Sequence, residues 1–167
     1  MPITNLPTLK SINPATLECI KEYPQHSGQE IEERLLKLVI AQKEWQAINF
    51  SQRKVCMLKL ASDLEQIEQD AAETMANEMG KPWMQGAREI SKCAWLCRWF
   101  ANSAETYLTM DSISTEYQRS YVQFEPIGNV LAIMPWNFPF WQVFRCAVPA
   151  LMAGNGVVLK HAPSTQG

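Results

Sequence analysis

Near the C-terminal end of the 167-residue chain, Pro135-Trp136-Asn137-Phe138-Pro139 follows directly on an apolar run, Asn129-Val130-Leu131-Ala132-Ile133-Met134. Two prolines bracketing Trp-Asn make a stiff loop, because each fixes its own φ and restricts the residue before it. Such a loop aims one amide side chain from a fixed backbone. A neutral donor held in place suits an oxygen on which negative charge develops, since a preorganised dipole stabilises that charge without reorganising. A second apolar run, Val157-Val158-Leu159, ends in Lys160-His161-Ala162-Pro163. Lys160 thereby sets a cation near the same place, in reach of a ribose or a phosphate. Taken alone, each residue has a plainer use: Asn137 could cap the helix that follows it, and Lys160 could be an edge charge that deters strand pairing. The proline bracket at a strand terminus favours the chemical use of Asn137.

These residues need a scaffold, and the pattern around them supplies one. Residues 129–134 and 157–160 read as strands, and the apolar stretch 140–152 between them as a helix closed by Ala153-Gly154-Asn155-Gly156. Strand, helix, strand is one βαβ unit, right-handed by rule. Unbroken apolarity predicts strands buried on both faces of a parallel sheet, and ligands of such sheets sit at the carboxyl ends of the strands.

Upstream the chain reads as mostly helical. Ser27 and Glu30 have capping-box spacing, and behind them Ile31, Leu35, Leu38, Val39, Gln42 and Trp45 fall mostly on one helical face. Ser51 is expected to cap a second helix whose buried stripe is Val55, Leu58, Ala61, Leu64 and Ile67. A third helix from residue 68 ends at Met79, where Gly80 suits a left-handed C-cap and Pro82 blocks continuation. A long helix over 83–107 carries Met84, Trp95, Trp99 and Phe100 and is expected to be buried on more than one side. The first ten residues read as a loose arm, residues 11–23 as a hairpin turning at Asn13-Pro14, and residues 109–125 as strand pairs.

Composition excludes several classes. The formal net charge is −2 and the aromatic residues are not interleaved with Lys or Arg, so there is no footprint for nucleic acid or an anionic membrane. No stretch approaches the roughly 20 apolar residues of a bilayer span, and the N-terminus does not read as a signal peptide. Five irregularly spaced cysteines read as free thiols in a reducing cytoplasm. His26 and His161 lack companion ligands, so no metal is expected.

The stretch EPIGNVLAIMPWNFPFWQVFRCAVPALMAGNGVVLKHAP resembles the first βαβ of the aldehyde dehydrogenase superfamily: PWNFP, then a P-A-L-x-A-G-N turn, then V-L-K. INPAT near the start and EMGKP before the long helix are similar to the same family, and the KHAP variant with IMPWNFPFWQV resembles its bacterial succinate-semialdehyde dehydrogenases. The resemblance implies an incomplete doubly wound, Rossmann-like α/β cofactor domain. Its parts would be an N-terminal helical section (1–108), an oligomerisation hairpin (109–125) and the first βαβ unit (126–167). It implies oxidation of a small aldehyde, succinate semialdehyde, by NADP or NAD in a cytoplasmic homo-oligomer. Asn137 would donate to the aldehyde oxygen as catalytic residue. Ile133, Met134, Pro135, Trp136 and Asn137 would line the cofactor cleft, with Lys160 on the adenosine ribose or a 2′-phosphate.

Two departures stand out. Pro163 occupies the position where many NAD-selective relatives carry a Glu that repels a 2′-phosphate, which favours NADP or dual use. Leu17 stands where the family usually has Gly. The family's nucleophilic Cys, general-base Glu and catalytic domain are expected beyond residue 167, so the chain by itself is expected to be inactive. The alternative is a non-catalytic fragment that only binds nucleotide or associates with other chains. Cys93 and Cys97 are expected to be core-packed.

Overall fold

The computed structural model describes residues 8–167, and the greater part of the expected N-terminal arm lies outside them. Two antiparallel strands open the fold, β1 (Thr8–Ile12) and β2 (Cys19–Pro24). Thr8 to Lys10, expected in the loose arm, pair with Glu22 to Pro24 instead. Asn13 starts the turn as predicted, its side-chain oxygen accepting from the amides of Ala15 (2.9 Å) and Thr16 (3.3 Å). The turn is completed by Leu17 at φ 63°, the one non-glycine residue with positive φ among those described.

Four helices follow: α1 (Gly28–Ala47), α2 (Phe50–Gln66), α3 (Glu68–Met79) and α4 (Trp83–Leu108). The Ser27/Glu30 capping box is present as predicted. The cap of α2 is Asn49, in a second capping box with Gln52, and Ser51 lies inside the helix. Asn competes better for this position because its oxygen reaches the Gln52 amide from extended backbone. The buried stripe of α2 also differs from the one predicted: it is Arg53, Met57, Ala61 and Leu64, with Val55 67% exposed. Arg53 turns the helix this way by donating to three main-chain carbonyls, Gln46, Ile48 and Met152. Gly80 takes φ 69° at the end of α3, as its place after Met79 required.

Helix α4 packs against α2, α3 and the later helix α5 (Pro139–Met152), which fulfils the expectation of burial on several sides, largely through small residues. Gly86, Ala87, Cys93, Ala94, Cys97, Ala101 and Ala104 are buried, while Met84, Trp95 and Trp99 are exposed. Small side chains let helix axes come close, and the bulky aromatics are left for the outer surface.

The antiparallel pair β3 (Asp111–Ser112) and β4 (Tyr121–Val122) is two residues long on each side and exposed, shorter than the strand pairs expected over 109–125. Then come β5 (Asn129–Ile133), α5 (Pro139–Met152) and β6 (Gly156–Lys160), with β5 and β6 parallel and in register from Asn129↔Gly156 to Ile133↔Lys160. The expected βαβ unit is therefore present. Its sheet is not buried on both faces: Leu131 is 60% and Ile133 67% exposed. Among the described residues this sheet has two strands. Where cover exists it is close. A Cβ on Gly156 would stand 2.1 Å from the Asn129 side-chain oxygen and 3.0 Å from Leu38 of α1, so only glycine fits. One hydrophobic cluster, with Met57, Leu64, Met75, Ile90, Val148 and Met152 among its members, joins α2, α3 and α4 to α5.

Leu17 is 79% exposed, so its side chain contributes little burial in return for a left-handed backbone. Replacing it by glycine, Leu17→Gly, is expected to raise unfolding free energy by about 1 kcal/mol, the cost of left-handed φ for a residue with a Cβ. Thermal or urea denaturation reads this directly; a lower stability would show that turn strain is not the dominant effect there.

Candidate functional site

The parallel register brings the two predicted loops together. Ile133 is level with Lys160, and beyond the last pair the Met134 amide donates to the Lys160 carbonyl at 3.1 Å. Residues 133–137 and 160–163 thus leave the sheet side by side, at the carboxyl edge where such sheets bind ligands. Ile133, Pro135, Trp136, Asn137, Lys160 and Pro163 are exposed, and Met134 is half-buried. Among the described residues Lys160 makes no ion pair and the Asn137 side-chain amide makes no hydrogen bond, which leaves both free to meet something else. Met134 and Pro135 also line a cavity of about 250 Å³ together with Phe140 and Phe144 of α5 and with Leu159 and His161. Ile133, Trp136, Asn137, Lys160 and Pro163 lie outside its wall, so the structure divides the predicted residues between that cavity and the open edge.

The loop carrying Asn137 is held from below by two residues that sequence reasoning did not assign to the site. Lys81, in the short connection between α3 and α4, and Glu89, on α4, form a buried ion pair. The second oxygen of Glu89 accepts from the amides of Phe140 (3.0 Å) and Trp141 (2.8 Å). Those are first-turn donors of α5, which has Pro139 at its start and no side-chain cap of its own. A carboxylate there satisfies donors the helix cannot, and sits at the positive end of its dipole. Lys81 Nζ also donates to the Asn137 carbonyl at 3.2 Å and stands 3.9 Å from the centre of the Phe138 ring. The available signal was EMGKP, noted only as a family likeness, followed eight residues after its lysine by an acid on the small-residue face of α4.

The other end of α5 is held in the complementary way. Trp45 Nε1 donates to the Leu151 carbonyl (2.7 Å), Arg53 to Met152 (2.7 Å) and Gln42 to Gly154 (3.0 Å). Arg53 is buried, which pushes its guanidinium below its ordinary value, and it also stacks on Phe50. Asn155 ties the start of β6 to the residue before β5, accepting from the Gly128 amide at 3.1 Å and donating to Ala150. Donors at the carbonyl end and an acid at the amide end fix α5 along its axis, and with it the loop at its head.

The sequence model of the aldehyde dehydrogenase family matches residues 3–167. A probable succinate-semialdehyde dehydrogenase (NADP(+)) of Synechocystis is 44% identical over 157 residues, covering 92% of this chain and 34% of that protein. Sad of Escherichia coli K12, a succinate semialdehyde dehydrogenase (NAD(P)+), is 38% identical over 167 residues, covering 100% of this chain and 36% of that one. Among solved structures, succinic semialdehyde dehydrogenase of Streptococcus pyogenes in complex with NADP+ superposes with a TM-score of 0.89 at 28% identity, covering 94% of this chain and 35% of that one. The chain therefore spans about a third of the length of the relatives it matches. These likenesses also bear out the expected α/β architecture as part of a Rossmann-like domain.

The two cysteines of α4 lack the surroundings of a nucleophile. Cys93 and Cys97 are fully buried in the α4 core, as expected. Burial pushes the Cys93 thiol up to about 12, helped by the Glu89 charge, and that of Cys97 up to about 11. At pH 8 their thiolate fractions are on the order of 1 in 10,000 and 1 in 1,000. An aromatic disulfide reagent at pH 8 is expected to label Cys19 and Cys56, which are exposed, and to leave Cys93 and Cys97 unlabelled until denaturant is added. The sign for stability follows: a thiol whose pKa is raised by folding keeps the fold stable below the unfolded value near 9.0, and that contribution is lost as pH rises towards 11–12.

Proposed function

This chain belongs to the aldehyde dehydrogenase family, and from that premise we propose that it supplies the cofactor edge and the oxyanion donor of an enzyme oxidising succinate semialdehyde to succinate. The observation that carries this reading is the pairing of β5 with β6, which sets the Asn137 amide and the Lys160 cation side by side at one sheet edge. NADP+ is the preferred cofactor in this proposal and NAD+ the second, in line with the names of the Synechocystis and Escherichia coli relatives.

The residues present fit such a cofactor. Lys160 offers a cation to a ribose or 2′-phosphate, with Pro163 rather than an acid three residues on. Ile133 and Trp136 offer exposed apolar surface, and Met134 and Pro135 the backbone between them. When bound, the nicotinamide supplies the hydride acceptor. Asn137 donates its side-chain amide to the aldehyde oxygen, which becomes an oxyanion as a cysteine thiolate from elsewhere in the enzyme adds to the carbon. The amide stabilises that charge most when it is fully developed, so its effect falls on turnover more than on binding. A carboxylate, also from elsewhere in the enzyme, then activates the water that frees the acid.

Residues 1–108 and 126–167 form parts of the cofactor domain, and residues 109–125 the hairpin for self-association, supported by exposed Ile113, Tyr121, Val122 and Phe124. The reduced thiols Cys93 and Cys97 support a cytoplasmic setting, where thiols stay reduced.

In the full-length enzyme carrying this segment, Asn137→Ala is expected to lower kcat about 100- to 1,000-fold, as removal of one oxyanion donor does. NADP+ affinity in a fluorescence titration should change by less than about threefold, because the cofactor contacts of this edge stay in place. Full turnover in that variant would sink the role given to Asn137. A separate variant, Pro163→Glu, introduces an acid near the place proposed for the 2′-phosphate. It is expected to lower the NADP+/NAD+ ratio of kcat/KM by roughly tenfold, the effect of one like-charge contact of about 1.4 kcal/mol. An unchanged ratio would mean that selectivity is set elsewhere.

A further inference from the structure

We propose that Lys81 and Glu89 are positioning residues for the Asn137 amide, acting through the main chain of the loop and never on a reacting atom. This role presupposes that Asn137 is the oxyanion donor, as proposed above. The geometry brackets the loop from both sides. Lys81 holds the Asn137 carbonyl at 3.2 Å, and three residues further on Glu89 holds the amides of Phe140 and Trp141. With that carbonyl and those two amides fixed by one ion pair, the backbone between them has little room to rotate, and the direction in which the Asn137 side chain leaves its Cα is set. The ammonium packed on the Phe138 ring fills the remaining side of the loop.

The anchor is itself stiff. Lys81 sits between Gly80, in left-handed backbone, and Pro82, whose φ is fixed, and both charged side chains are almost wholly buried. Stability alone does not account for them. A buried ion pair gives up so much hydration that an apolar pair of similar volume would stabilise the fold as well or better. What apolar side chains could not do is donate to the Asn137 carbonyl and accept from α5 at once. Glu89 is also the one side-chain partner of the first α5 amides among the described residues. The pair therefore serves placement, and a displacement of about 1 Å in a group acting on the transition state costs up to about 100-fold in rate.

The test uses the full-length enzyme with succinate semialdehyde and NADP+, and a double variant, Lys81→Met with Glu89→Gln. No charge is left unpaired in it, and the new glutamine oxygen can still accept from α5. We expect kcat to fall 10- to 100-fold, with KM for the aldehyde and NADP+ affinity within about threefold and a melting temperature within a few degrees. Added to Asn137→Ala, the double variant should cost less than about twofold more, because orientation no longer matters once the amide is gone. A purely structural defect would instead multiply in full. A double variant with kcat within twofold of the parent, or one whose loss multiplies fully with that of Asn137→Ala, overturns the positioning role while leaving the role of Asn137 standing. If Asn137→Ala alone keeps full turnover, the oxyanion reading fails and the positioning role falls with it. Should the double variant not fold, Lys81→Arg keeps the charge but replaces a point donor by a planar fork. It is expected to lower kcat at least fivefold at near-constant melting temperature, and unchanged kcat overturns the proposal.

Discussion

The arrangement rests on how helix α5 is held. A helix leaves four amides unpaired at one end and four carbonyls at the other, and α5 provides no side chain of its own to satisfy the first set. Glu89 takes the amide end, Trp45 and Arg53 take the carbonyl end, and Gln42 holds the turn just beyond it. The signs agree with the helix dipole at both ends, acid at the head and guanidinium at the tail. Because the partners come from α1, α2 and α4, the βαβ unit is not an independent body resting on the helices. Its crossover is threaded into their hydrogen bonding and shares their hydrophobic core.

That dependence explains why α4 is built from small residues. Gly86 lies so close to α3 that an added Cβ would meet the Ala72 backbone at 3.1 Å. Cys93, Ala94 and Cys97 continue the same buried surface. Glu89 stands on this surface one turn before Cys93, so the closeness of the helix packing sets how near its carboxylate comes to α5. Core packing and polar capping are here one constraint: a bulkier α4 would move α5 away from Glu89 and release the Asn137 loop. The bulkier Trp95 and Trp99 are left exposed.

What could be read in the sequence depended on how local its cause was. The capping box at Ser27 and the left-handed Gly80 follow from spacing within a turn of chain, and the long α4 and the parallel βαβ unit from patterns continuous along the chain. The βαβ unit also placed Asn137 and Lys160 at one edge, because parallel strands end on the same side. Other features needed contacts far apart in sequence. Arg53 appears buried only once carbonyls as distant as Met152 are seen to receive it. The exposure of Leu131 and Ile133 depends on what packs on each face of the sheet, which the composition of one strand cannot reveal. Lys81 and Glu89 were hidden for the same reason: each looks like an ordinary surface charge until the head of α5 is brought against the pair.

A loop stiffened by two prolines could fix its own internal shape, yet stiffness does not say which way the loop points. Direction has to come from outside. The structure provides it at three places: the Met134 amide on the Lys160 carbonyl ties the loop's start to the neighbouring strand, Lys81 holds its middle, and Glu89 holds the turn into α5. Each contact uses a main-chain group of the loop, so none of them competes for the Asn137 side chain. A side chain whose own backbone is anchored at these places leaves its Cα in a fixed direction, and a fixed dipole is what electrostatic preorganisation requires.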